Sequence, residues 1–136
     1  MGAMACKALK QITVTILDQE HVRRDWWFDF DGEAFQRFFV GLTREMRKLG
    51  VGLELVRNRE IAIRIASYAD LLNVVKISSP DGGHSNQCVG HIIGRSEHLD
   101  IMEDIGGAVR RIAFAPETIA PAGEFRKVCH NCGCGC

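Results

Sequence analysis

The sequence predicts an α+β fold: a two-layer sandwich of a mostly antiparallel sheet with two or three helices, nearest to a ferredoxin-like arrangement, plus a Cys-rich C-terminal tail. Two patterns carry the body of this expectation. Apolar residues alternate at period two in Ile12/Val14/Ile16, Val51/Leu53/Leu55 and Ile61/Ile63/Ile65, which marks strands with one buried face. Apolar residues recur at helical spacing in Phe35, Phe38, Phe39, Leu42, Met46 and Leu49, which marks a helix with one buried stripe.

The elements follow in order. A first strand covers Ile12–Ile16 and stops at the polar Asp18-Gln19-Glu20. Trp26, Phe28 and Phe30 alternate with Trp27, Asp29 and Asp31, so a second strand paired to the first is expected. Asp31 is placed to cap the Phe35–Leu49 helix, and Gly50 stands where a C-terminal glycine ends one. The polar Arg57-Asn58-Arg59-Glu60 between two alternating runs reads as the turn of a β-hairpin. Ser67 and Asp70 form a capping signal for a short helix, with a strand through Val74–Ile77 as the competing reading. Ser78–Gly83 reads as a loop and Gln87–Ile93 as a strand. Ser96 is then expected to cap a helix bearing Ile101, Ile105, Ala108 and Ile112, kinked or split at Gly106-Gly107.

This organisation gives a single domain over residues 4–115, a linker over 116–128 with Pro116, Pro121 and Gly123, and the tail over 129–136. Met1-Gly2-Ala3, ahead of Met4, reads as an expression scar. With 17 basic and 17 acidic residues the net charge is zero, so there is no electrostatic footprint for nucleic acid. The Arg23-Arg24 and Arg110-Arg111 pairs are too short to supply one. No apolar run approaches the ~20 residues of a membrane helix, and no signal peptide is legible, so a cytoplasmic location is expected.

Four of the six cysteines, Cys129, Cys132, Cys134 and Cys136, fall within the last eight residues, with His130 among them. A short Gly-spaced segment has no means of burying four thiols in a core, and cysteine is retained chiefly for its chemistry. Thiolates are soft ligands suited to zinc, copper(I) and iron–sulfur clusters. A Cys-x-x-Cys step lets two sulfurs reach one ion, and Gly133 and Gly135 let the backbone fold closely around it. The spacing departs from the familiar ferredoxin run, which ranks an iron–sulfur cluster below zinc or copper(I). The same Cys129/Cys132 spacing also suits thiol exchange.

A second set of N and S donors is His84, Cys88, His91 and His98. The plainer account makes His84 a solvated loop residue, Cys88 a small buried apolar one and His98 a first-turn helix residue. Ser78–Ser85 lacks the Gly-x4-Gly-Lys-Ser/Thr phosphate pattern. Asp18, Glu20, Asp25, Asp29 and Asp31 read as turn and cap residues rather than paired acid/base groups. Trp27 stands out as a candidate interface anchor.

Three functions are therefore in view. The first is a small accessory protein that binds or transfers a soft metal through the tail, its body docking on a protein partner. The second is a thiol-redox or sulfur carrier that uses the same tail without metal. The third is an interaction module, such as a homodimer, whose tail is incidental. No catalytic constellation is legible, so an enzyme ranks below all three.

Overall fold

The computed structural model describes residues 10–21, 26, 28–80, 83–94, 96 and 99–119. The class is α+β: a four-stranded mixed sheet and four helices among the described residues. The strands are β1 (Lys10–His21), β2 (Val51–Ile65), β3 (Val75–Ser79) and β4 (His84–Cys88). The helices are α1 (Glu33–Lys48), α2 (Tyr68–Leu72), α3 (Val89–Ile93) and α4 (Ile101–Phe114), with a 3-10 turn at Pro116–Thr118. None of the helices in the described residues is long and apolar enough to cross a membrane.

The sheet order is β2-β1-β3-β4. Here the expectation of a mostly antiparallel sheet needs correcting. The longest pairing, β1 with β2, is parallel, and α1 supplies the crossover that such a pair requires. The β1–β3 and β3–β4 pairings are antiparallel. The expected hairpin over Val51–Ile65 is one continuous strand. Its register against β1 slips between Ile16↔Arg57 and Asp18↔Ala62, so two steps along β1 are matched by five along β2. The polar residues read as a turn form this irregularity, and Asp31 accepts from Arg57 and Arg59. β1 also runs through Asp18-Gln19-Glu20 instead of stopping there. The order of elements departs from the β-α-β-β-α-β sequence of a ferredoxin-like arrangement.

The strand expected over Trp26–Phe30 does not form, since none of its described residues lies in a strand. The Gln19 side chain takes the place of a neighbouring backbone: its Nε2 donates to Phe28 O at 2.7 Å and its Oε1 accepts from Phe28 N at 3.2 Å. The rings of Phe28 and Phe30 then stack against Phe35 of α1 at 6.0 and 5.3 Å between centroids. The α1 N-cap is Gly32, not Asp31. Its C-terminal end is as expected, with Gly50 in the left-handed region at φ 86°.

Both readings for residues 67–77 hold in succession: α2, whose N-cap Ser67 accepts from Asp70 N, is followed by β3. Gln87–Ile93 is the end of β4 and then α3, so the expected strand is shorter than drawn. Ser96 does not cap α4; Asp100 does, accepting from Met102 N and Glu103 N. Helix α4 passes through Gly106-Gly107 unbroken. A Cβ at Gly106 would lie at an ordinary 3.8 Å from Phe38 of α1, and its one tight contact, at 3.1 Å, would be with the guanidinium of Arg110 on the same helix. Lys10 Nζ donates to Ala113 O at 2.7 Å and secures the end of α4 to the start of β1.

Ile12, Val14 and Ile16 of β1, Val75 and Ile77 of β3, and the apolar stripes of α1 and α4 form one continuous core. Thr13, Thr15 and Ser78 lie on the other face of the sheet.

Candidate functional site

The tail residues Cys129, His130, Cys132, Cys134 and Cys136 lie outside the described residues, as do His98, Asp25 and Trp27. Of the second donor set, His84 opens β4 opposite Ser79, Cys88 ends β4 fully buried, and His91 is buried within α3. Among the described residues, no group of three or more His, Cys, Asp or Glu side chains is placed to hold a metal ion. Burial of Cys88 agrees with the plainer account of that residue. His84 stands in a strand rather than in the loop expected of it. Of the clustered acids, Asp29 accepts from Asp31 N in a turn, and Asp31 pairs with Arg57 at 2.8 Å.

The most developed polar arrangement was not apparent from the sequence. Helices α2, α3 and the segment leading to α4 enclose a cleft of about 240 Å³, lined by Tyr68, Ala69, Leu72, Ile93, Ser96 and Leu99 together with Gly90 and Gly94. Behind its wall stands Asp104, buried on α4. Tyr68 donates its phenol proton to Asp104 Oδ2, and Ser96 Oγ donates to the same oxygen at 2.6 Å. Ser96 Oγ in turn accepts from Leu99 N at 3.0 Å. Leu99 adopts a left-handed φ of 53°, unusual for a non-glycine residue. Burial pushes the Tyr68 phenol above its ordinary value, and the hydrogen bond to Asp104 adds to that.

One signal was available in the sequence. Asp104 falls three residues after Ile101 and one before Ile105, within the apolar stripe of its helix. A carboxylate there must find buried donors. Its partners, 36 and 8 residues away in the chain, had no local signature.

Compared with protein-family models, curated proteins and solved structures, the chain matches none.

Proposed function

We propose that this is a small cytoplasmic accessory protein that binds or transfers a soft metal ion, zinc or copper(I), through Cys129, Cys132, Cys134 and Cys136, with His130 as a further donor. The observation that carries the reading is the density of thiols: four within eight residues, separated by one histidine, one asparagine and two glycines. Deprotonated, they supply a complete soft donor set for one ion. Metal transfer then proceeds by ligand exchange, each tail thiolate replaced in turn by a donor of the receiving protein.

The body serves as the docking platform in this reading. A partner protein or a second copy would dock on the stretch of sheet that carries the exposed Glu54 and Val56 beside the half-exposed Thr13 and Thr15. Metal analysis of the anaerobically purified full chain tests the proposal. Stoichiometric zinc or copper(I), lost when the four cysteines are replaced by serine, supports it; absence of tight uptake of either ion removes it.

The Cys129/Cys132 spacing favours a second reading, a thiol-redox or sulfur carrier. Exchange with a partner disulfide would oxidise the tail pair to a disulfide and leave the partner as two thiols. Intact mass measured with and without reductant distinguishes this from metal binding. Function that survives removal of residues 129–136 would discard both readings in favour of an interaction module.

A further inference from the structure

The cleft beside Tyr68 has a chemistry of its own, separate from any role of the tail. Its wall is largely apolar, from Leu72, Ile93, Leu99 and the Tyr68 ring. The two hydroxyl-bearing residues that line it, Tyr68 and Ser96, both donate to Asp104 Oδ2. What remains for a visitor is acceptor capacity on each oxygen, Ser96 Oγ already taking one bond from Leu99 N, backed by a buried carboxylate with no Lys or Arg salt bridge among the described residues. Such a site rewards a hydrogen-bond donor, and a cationic one most. Ala69 and the half-exposed Leu99 leave the cleft open to solvent.

We propose that this cleft is a binding site for a small primary amine with an apolar body, the ammonium hydrogen-bonding to Tyr68 Oη and Ser96 Oγ and the apolar part resting on Leu72, Ile93 and Leu99. Size supports one ring or a short aliphatic chain. A dry cavity of roughly 150 Å³ holds benzene, and the cleft has about 240 Å³, room for a ring with an aminomethyl group. The Tyr68 proton is held by Asp104 Oδ2, which leaves the phenol oxygen as an acceptor for the ligand. Trp26 stacks edge-on against Tyr68 at 5.6 Å and places a reporter beside the site.

The test is titration of the full chain with benzylamine, benzyl alcohol and toluene, followed by amide NMR shifts of Tyr68, Leu72, Gly90 and Leu99 and by tryptophan fluorescence. The expected result is saturable shifts confined to these residues, with benzylamine binding about tenfold more tightly than toluene, as a charge-assisted hydrogen bond provides. Asp104→Asn should remove most of that advantage while leaving toluene binding nearly unchanged. Ala69→Phe, at an exposed position on α2, should fill the mouth and abolish binding of all three without disturbing the fold. The proposal is overturned by absence of saturable shifts with benzylamine, by shifts that persist in Ala69→Phe, or by equal affinity for the three probes.

Discussion

The packing of α1 on β1 and β2 and the corner where α2, α3 and α4 meet are both buried, but by different means. Under α1 the contacts are apolar throughout: Phe35, Phe39, Leu42 and Met46 turn inward, and Phe35 meets the rings of Phe28, Phe30, Phe38 and Phe39. At the corner, the buried carboxylate of Asp104 accepts from the buried Tyr68 and the half-buried Ser96, close to Leu72. The first region gains stability from area and shape alone. The second stands only while each polar group keeps its partner, since an unmet buried group costs more than a made bond contributes.

The sharpest test of this contrast is Phe35→Ala, which removes the ring at the centre of the aromatic cluster and leaves a cavity. The loss expected is about 3–5 kcal/mol, read as a fall in the denaturation midpoint with little change in slope. A loss below about 1 kcal/mol would mean that the cluster collapses freely into the space, and that packing there is loose.

Asp104→Ala comes next. It deletes one carboxylate but strands two donors, Tyr68 Oη and Ser96 Oγ, so a loss of about 3 kcal/mol is expected. The double variant with Tyr68→Phe should lose less than the sum of the two single losses, because the second change removes a donor already stranded. Strict additivity, measured by chemical denaturation, would show that the phenol and the carboxylate do not act as a unit.

The contrast also explains what could be read in advance. Helix α1 was legible because its apolar spacing, its acidic first turn and Gly50 all agree locally. The misread stretches share a different cause: polar groups satisfied from far along the chain. Arg57 and Arg59 looked like a turn because they belong to a polar run between two alternating stretches, yet Asp31 pairs with them from 26 and 28 residues away. Trp26–Phe30 looked like a strand because its alternation is real, but Gln19 supplies the hydrogen bonds that a strand partner would have made. The Tyr68–Asp104–Ser96 arrangement was hidden for the same reason. Period-based reading detects burial by area and cannot detect burial by partnership.

Tyr68→Phe is the smaller test at the corner, at about 2 kcal/mol for a single hydrogen bond to a charged group. Its pH signature is more telling. The folded-state value of the phenol lies above its ordinary 10.0, so the folded chain holds this proton more tightly than the unfolded one. The associated stability is complete below pH 10.0 and is lost progressively as the pH rises above it. Tyr68 is the one tyrosine of the chain, so tyrosinate absorbance reports on it alone. That absorbance should be absent from folded protein just above pH 10.0 and appear together with unfolding. Titration at the ordinary value in the folded state would place the phenol in solvent and dissolve the contrast between the two regions.

The smallest effect is expected at the Gly-spaced tail. Among the described residues the core runs from Ile12 to Ile119, and Cys129 comes ten residues after Ile119 in the sequence. Replacing Cys129, Cys132, Cys134 and Cys136 with serine should therefore change stability by no more than about half a kcal/mol per site, as surface substitutions do. Thermal unfolding under reducing conditions, with and without added zinc, measures this. If the midpoint of the parent chain rises with zinc while that of the serine variant does not, the tail binds the ion in the folded protein, by simple mass action. A steep loss of stability in the serine variant would carry a different meaning. The thiolates would then close a metal site on which the body depends, a third mode of burial beside area and partnership, and the tail would be a structural clamp with no ion to give away.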